Sequence, residues 1–239
     1  YGIDQVVVTG TKTFKRKTES PVIVNVIDSR QLESVQACNL AEGLNFQPGI
    51  RIETDCQTCN YTQLRMNGLA GGYSQILING RPIFSPLAGL YGMEQIPVNM
   101  IDRIEIVRGG GSSLYGSSSV GGVVNVITKL AKKNGFSFGY DYASINSAVD
   151  DKVLFGNSTV VAATKNSGAT FFVNNRDREW YDHNNDNYSE LPVLKDNAFG
   201  VNFFFLPSDN QKLELNLGSL HEYRYGGEMI DGSAHFSMQ

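Results

Sequence analysis

The sequence predicts an α+β domain, with a mixed sheet and short helices, followed by antiparallel β strands of an incomplete transmembrane β-barrel. Two observations predict this order. Up to about residue 129, short apolar runs alternate with helix N-terminal signals and an Asn-Gly turn, a pattern typical of a mixed α and β domain. Beyond residue 134, strands of about ten residues alternate in polarity, which indicates a sheet with two different faces.

Length, composition and charge exclude several other classes. The chain has 239 residues, of which 41% are hydrophobic and 18% charged, so it can form a buried core and two domains are plausible. Its formal net charge of −4 leaves no basic surplus for a phosphate backbone, and we expect no nucleic-acid partner. No stretch approaches the roughly 18 apolar residues of a membrane helix. The start shows neither Met nor a signal-peptide pattern, so we expect a processed chain or a piece of a longer protein.

One strand and two helices are predicted early in the first half. The apolar run 21–27 is bounded by turn formers and indicates a buried strand. Asp28 followed by Gln31, and Asn39 followed by Glu42, have the spacing of a capping box, so we expect a helix to begin after each. A Pro-Gly pair ends the second helix before the next strand.

A hairpin and an alternating strand are predicted next. Asn79-Gly80 lies between two apolar runs, and this pair favours a type I′ turn. In the following strand, DRIEIV, residues 104 and 106 share one face and residues 103, 105 and 107 share the other. The last strand of this half ends near Lys129.

The second half predicts five strands. In the first of them Phe136, Phe138, Tyr140 and Tyr142 share a face. The connections 146–151, 165–168, 181–196 and 207–210 give a long, short, long, short series. A soluble sandwich would also give alternating strands. The loop asymmetry favours an outer-membrane barrel, in which short turns face the periplasm and long loops face outward. Five strands cannot close a barrel, so two edges stay open for further strands or another partner.

The segment RIEIVRGGGSSLYGSSSVGGVVNVITK, residues 103–129, carries the most information. It lacks the Gly-Lys-Ser/Thr of a phosphate-binding loop and the third glycine of a dinucleotide fingerprint. It resembles the signature of the plug domain of TonB-dependent outer-membrane receptors, in which a strand ends in Arg-Gly and is followed by Tyr-Gly, Gly-Gly and a Thr-Lys strand. GLNFQPGI, LRMNGL, LINGRPI and DQVVVTG are similar to further elements of that family.

This resemblance implies a domain organisation and a location. Residues 1–20 would be a TonB box and flexible tether, 21–130 the plug domain, and 131–239 the first strands, about five, of a truncated barrel of about twenty-two strands. The plug would lie inside the barrel in the outer membrane of a Gram-negative cell. The chain has Arg108-Gly109 where glycan importers of the family have Lys-Asp, so it is similar to the metal-chelate type.

The resemblance implies a partner for the N-terminal strand. A strand there can add to the sheet edge of a periplasmic TonB-type energy transducer, and the polar residues 11–20 would form a mobile tether. The alternative is that this strand belongs to the folded domain. The predicted TonB box consists of Asp4, Gln5, Val6, Val7, Val8 and Thr9.

Two further sets of residues have roles implied by the family. Arg103 and Arg108 would pair with carboxylates inside the barrel, because a buried charge is costly without its partner. The plug loops 53–62 and 83–94 would meet the substrate with a mixture of apolar and polar side chains. The predicted substrate-facing residues are Asn60, Tyr61, Ser85, Leu87, Leu90, Tyr91, Met93 and Glu94.

The cysteines and histidines give no sign of catalysis. In an oxidising envelope Cys56 and Cys59 favour a local disulfide over a redox couple or a zinc pair, because no second Cys or His pair has metal spacing. We expect no metal site, no cofactor and no catalytic residue.

The sequence therefore predicts an importer of a small metal chelate, meaning a ferric siderophore, haem or cobalamin. Its partners would be the transducer, the chelate and outer-membrane lipid. Two alternatives stay open. One is a signal-transducing receptor of the same family, and the other is a soluble β-rich adhesin or binding module.

Overall fold

The computed structural model describes residues 5–37, 39–54, 62–82, 93, 96, 98–129, 133–208 and 211–229. The chain divides into a first unit of Tyr1–Glu53 with Thr62–Leu130 and a second unit that holds Ala131–Gln239. None of the described helices is both long enough and apolar enough to cross a membrane.

The first unit is built on a five-stranded mixed sheet with the strand order β3-β8-β9-β6-β7. Strands β6 and β9 are parallel, and the other neighbours are antiparallel. Two further pairs, β1-β2 and β4-β5, complete the strands of this unit. The strands are β1 (Val6–Val7), β2 (Lys15–Arg16), β3 (Val24–Asp28), β4 (Ile50–Thr54), β5 (Thr62–Met66), β6 (Ser74–Ile78), β7 (Arg81–Pro82), β8 (Ile101–Arg108) and β9 (Gly122–Thr128).

The helices of this unit are short. They are α1 (Ser29–Ser34), α2 (Leu40–Leu44) and α3 (Ser112–Tyr115), with 3-10 turns at Lys17–Glu19, Gly71–Tyr73, Val98–Met100 and Ser117–Ser119. The predicted capping box of α1 is confirmed. The Asp28 side chain accepts from the Gln31 backbone amide at 2.9 Å, and the Gln31 side chain accepts from the Asp28 backbone amide at 3.1 Å. Asn39 caps α2 with its side chain, which accepts from the Glu42 amide at 3.0 Å and donates to Glu42 Oε1 at 3.0 Å.

The predicted Asn-Gly hairpin is also confirmed. Asn79 and Gly80 have φ angles of 49° and 79° between β6 and β7. The Asn79 side chain accepts from the Thr128 amide at 3.0 Å and donates to the Thr128 hydroxyl at 2.8 Å, so the turn is bonded to the end of β9.

Apolar side chains cover both faces of the mixed sheet. Ile104 and Ile106 lie on one face, in a core that includes Leu32 and Leu44 of the helices. The other face carries a smaller cluster of Val7, Val24, Leu77, Val107 and Val123. Both faces of β8 and β9 are therefore buried. Burial on both faces is unusual for β8, because this strand carries a glutamate at its centre.

The second unit is one antiparallel sheet of five strands in sequence order. This confirms the predicted number of strands. They are β10 (Gly135–Ile145), β11 (Val149–Val161), β12 (Ser167–Arg178), β13 (Val193–Ser208) and β14 (Gln211–Tyr225). The prediction of a long loop at 146–151 is wrong. Strand β11 begins at Val149, and Asn146 and Ser147 take up the turn with φ angles of 51° and 58°. The long connection between β12 and β13 is present.

One face of this sheet is apolar and exposed. Phe136 is 87% exposed and Phe138 71%, and register places Val173, Phe199 and Leu217 on the same face. A sandwich would bury such a face against a second sheet. Among the described residues these five strands form a single sheet, which favours the barrel interpretation over the sandwich. The exposed residues of this face include Phe136, Phe138, Tyr140, Tyr142, Leu154, Phe171, Val173, Phe199, Phe203, Phe205, Leu213, Leu215 and Leu217.

Candidate functional site

The N-terminal strand lies on the mixed sheet of the first unit, at Glu105. Alternation along β8 places Ile104 and Ile106 in the main core and turns Glu105 to the opposite face. There the Glu105 side chain is fully buried. Its Oε2 atom accepts three hydrogen bonds, from the amides of Val8 and Thr9, each at 2.9 Å, and from the Thr9 hydroxyl at 2.7 Å.

Arg103 supplies the positive charge next to this carboxylate. Its Nε atom donates to Glu105 Oε1 at 2.9 Å, and its Nη1 atom donates to Asp102 at 2.9 Å. A buried carboxylate is stable only when charge and hydrogen bonds compensate it. The two Glu105 oxygens are thus divided between Arg103 and the N-terminal strand.

Asn125 and Tyr115 hold Thr9 from two other sides. Asn125 lies opposite Glu105 on β9, donates to the Thr9 hydroxyl at 2.9 Å and accepts from the Gly80 amide at 2.9 Å. The Tyr115 hydroxyl donates to the Thr9 carbonyl at 2.9 Å. Burial raises the pKa of Tyr115 above its ordinary value, and the negative charge of Glu105 raises it further.

Val7 anchors the same strand through apolar contact. It is 1% exposed and packs in the smaller cluster with Val24, Val107 and Val123. Its neighbour Val6 points away and is 43% exposed. The backbone of β1 pairs with β2, Val6 opposite Arg16 and Val7 opposite Lys15. Residues 5–20 therefore form a folded hairpin and not the free strand and mobile tether expected from the sequence. The hairpin is held on the sheet by the apolar contacts of Val7 and by the hydrogen bonds of Thr9.

The two arginines predicted to face barrel carboxylates have contacts inside the first unit. Arg103 binds Glu105 and Asp102, as described above. The guanidinium of Arg108 lies next to Gly49, since a Cβ built on that glycine would come 3.1 Å from Arg108 Nη1. Pairing of either arginine with a barrel carboxylate stays a prediction.

Most of the predicted substrate-facing residues lie outside the described residues. These are Asn60, Tyr61, Ser85, Leu87, Leu90, Tyr91 and Glu94, as are Asp4 of the predicted box and the predicted disulfide pair Cys56 and Cys59. Met93 is described and is fully buried in the main core. Its apolar side chain contributes to packing there, in contrast to the exposed position expected for a ligand contact. The described residues contain no cluster of His, Cys, Asp or Glu that could hold a metal.

Three residues of this site were not singled out by the sequence for this role. Glu105 was placed on the correct face of β8, but its contact with residues 8 and 9 was not expected, and Asn125 and Tyr115 were part of the glycine-rich signature only. The sequence does contain a signal for this contact. A glutamate and an asparagine in two consecutive strands rich in Val and Ile are expected to be buried, and buried polar side chains require hydrogen-bond partners.

Comparison with known proteins shows which family the first unit resembles. The family model described as the TonB-dependent receptor plug domain matches residues 16–123. This part of the chain is therefore similar to the plug domain of the TonB-dependent receptors. The match lies within the first unit apart from the gap at 54–61, and it begins after strand β1 of the hairpin at Glu105.

Relatives support the same conclusion over the plug domain. A vitamin B12 transporter, BtuB, from Vibrio cholerae is 32% identical over 126 residues, which is 53% of this chain and 21% of that protein. The iron-regulated outer membrane virulence protein of Vibrio cholerae is 32% identical over 133 residues, 53% of this chain and 20% of that protein. The chain thus spans about a fifth of the length of these relatives.

Solved structures share the fold over both units. The siderophore receptor PirA from Acinetobacter baumannii has a TM-score of 0.73 and 21% identity, and the alignment covers 86% of this chain and 32% of that one. The pyoverdine receptor FpvA from Pseudomonas aeruginosa has a TM-score of 0.73 and 14% identity, over 93% of this chain and 31% of that one.

Proposed function

We propose that the complete protein is an outer-membrane receptor that imports a small metal chelate and that its plug domain gates the barrel. The observation that carries the proposal is a plug domain at residues 16–123 followed by five antiparallel strands with an exposed apolar face. The protein binds and transports its substrate and does not catalyse a reaction on it.

The substrate class rests on the relatives. They include a transporter of vitamin B12, a siderophore receptor and a pyoverdine receptor, and these ligands are a cobalt chelate and iron chelators. A ferric siderophore, haem or cobalamin is therefore the class of substrate we propose. The plug residues that would meet it are Asn60, Tyr61, Ser85, Leu87, Leu90, Tyr91 and Glu94, with Cys56 and Cys59 as a disulfide in the first of the two loops.

The exposed apolar face of β10–β14 fits contact with lipid. Aromatic and aliphatic side chains cover it across all five strands, whereas the opposite face carries the Asp151–Arg176 ion pair. An outward apolar band and a polar interior are characteristic of outer-membrane barrels. The open edges of β10 and β14 would pair with the remaining strands of the barrel.

Energy would reach the plug through its N-terminal strand. A periplasmic TonB-type transducer binds this strand, residues 4–9, by adding it to the edge of its own sheet, which needs free backbone groups more than a particular sequence. Arg103 and Arg108 would hold the plug in the barrel by ion pairs.

Uptake by the complete receptor tests the proposal. The full-length gene would be expressed in a Gram-negative strain that lacks its own receptors, with and without its transducer, and cells would be supplied with labelled cobalamin, haem or ferric siderophores. We expect uptake of one of these chelates only when the transducer is present. Uptake of none, or release of the receptor from cells without detergent, would contradict the proposal and favour the soluble binding module.

A further inference from the structure

We propose that the apolar face of β10–β14 ends, on its outer side, in a binding site for the phosphate groups of outer-leaflet lipid, formed by Lys152 and Lys195. This inference rests on the function proposed above in one respect, which is that the second unit is part of an outer-membrane barrel. It does not depend on the substrate that the receptor imports.

The two ends of the sheet differ in their connections. At one end β12 and β13 are joined by the long connection 179–192, and at the other end β11 and β12 are joined by the short turn 162–166. In outer-membrane barrels the long loops face outward and the short turns face the periplasm. The end that carries residues 179–192 is therefore the outer end.

The charged side chains of the apolar face lie at this outer end. On β13 the exposed apolar residues stop at Phe199, and Lys195 lies closer to the outer end. On β11 they stop at Leu154, and Lys152 lies closer to the outer end. The other charged residues that the described strands place on this face lie at the same end and are Asp150 and Asp177. A lipid offers a phosphate group beside its acyl chains, which matches lysines beside an apolar surface.

Register brings the two lysines to either side of one position. Lys152 lies opposite Asp177, and Asp177 lies opposite Lys195, so the three residues form a row across three strands. Neighbouring strands are about 4.8 Å apart, and two long lysine side chains about 10 Å apart can both reach one phosphate group. Tyr142 and Tyr223 continue the row on its two sides and are 56% and 46% exposed. Tyrosine is enriched where a membrane meets water, so the row fits the level of the lipid headgroups.

Both lysines have donor hydrogens available for a phosphate. Lys195 is exposed and forms no ion pair with any residue that the structure describes. The Lys152 Nζ atom lies 3.0 Å from Asp150, and the Lys152 side chain is 48% exposed. An ammonium group carries three donor hydrogens, and an exposed ion pair of this kind contributes little, so Lys152 can bind a phosphate beside Asp150.

Asp177 gives the inference a test of sign. Its exposed carboxylate lies between the two lysines, where it reduces their mutual repulsion in the empty site but repels a phosphate. Removal of its charge should therefore strengthen phosphate binding, whereas removal of either lysine charge should weaken it. General damage to the sheet would weaken binding in all three variants.

The test uses lipid A, a phosphorylated glycolipid of the outer leaflet, as the probe. The full-length receptor in non-ionic detergent would be titrated with lipid A that carries both phosphates and with the same lipid after their removal, and the complexes would be measured by native mass spectrometry. We expect the wild type to prefer the phosphorylated lipid. Lys152→Gln and Lys195→Gln should each weaken its binding about fivefold, and Asp177→Asn should strengthen it.

Lys165→Gln is the matched control. It removes the same charge from an exposed lysine of the same sheet, but Lys165 lies in the turn 162–166 at the opposite end. We expect its affinity for the phosphorylated lipid to equal that of the wild type. Folding of every variant would be checked by heat-modifiable migration of the barrel.

The outcomes separate this inference from the proposed function. Weaker binding by both lysine variants together with stronger binding by Asp177→Asn supports the site. Equal binding of the two lipids by the wild type overturns the site and leaves the import function in place, as does wild-type affinity in the variant that lacks both lysines. A receptor that stays dispersed in buffer without detergent overturns the barrel and the site together.

Discussion

Phe155 of β11 lies across Gly139 of β10, the residue opposite it in the sheet. A Cβ built on Gly139 would come within 2.2 Å of the Phe155 ring. Phe172 covers Gly200 of β13 in the same manner, with a corresponding distance of 2.3 Å. Both rings lie on the face opposite the exposed apolar one, where each of these glycines leaves room for a phenylalanine ring.

Gly139→Ala should destabilise the second unit. The added methyl group would displace the Phe155 ring, and overpacking of this kind costs about 1–3 kcal/mol. The free energy of unfolding of the full-length receptor would be measured by denaturant titration. Gly135→Ala in the same strand is the control, because a Cβ there meets nothing within 4 Å. Equal stability of the two variants would show that the ring does not need the glycine.

Asp151→Asn should also lower stability. Arg176 forms two hydrogen bonds with Asp151, at 3.0 and 2.6 Å, and both side chains are nearly buried. Loss of Asp151 removes a negative charge that compensates Arg176, and removal of one partner from a buried pair costs about 3–5 kcal/mol. Asp150→Asn is a control from the neighbouring residue on the opposite, exposed face, where an ion pair contributes little. A similar result for both variants in denaturant titration would argue against a structural role of the buried pair.

Tyr115 should make the docked hairpin sensitive to high pH. Because its pKa is raised in the folded protein, its contribution to stability is complete below the ordinary tyrosine pKa of 10.0 and is lost as the pH rises through the folded value. Trypsin cleavage of the N-terminal residues should therefore accelerate above about pH 10 in the wild type. Tyr115→Phe should lose this acceleration and be cut faster at neutral pH, because the bond to the Thr9 carbonyl is absent. A steady rate in the wild type between pH 9 and about 11 would refute the prediction.

Val7→Pro should abolish capture by the transducer. Proline removes an amide hydrogen and disturbs the flanking pairing, so the strand could no longer add to a sheet. The same change should release the hairpin from the plug, since Val7 is buried in the smaller cluster. The captured fraction of the full-length receptor would be compared with that of Phe14→Ala, an exposed position outside the box. Capture of Val7→Pro at the wild-type level would show that residues 4–9 are not the TonB box.

Local patterns predicted much of the fold. The capping residues Asp28 and Asn39, the Asn79-Gly80 turn and the five long strands are each determined by neighbours a few residues away. The turn at Asn146 and Ser147 was missed because alternation of polarity continues through the strand ends and does not mark where pairing stops.

The sequence by itself determined the elements, their order and the resemblance to the plug-domain family, because these depend on short-range spacing and on a long glycine-rich signature. Only the tertiary structure decided what covers the second face of β8. Periodicity shows that Glu105 and Val107 point away from the main core, but it cannot show which part of the chain they meet. That part is Val7–Thr9, and Thr9 lies 96 residues before Glu105 in the sequence. A contact over such a distance depends on the closure of the whole domain, and no local pattern encodes it.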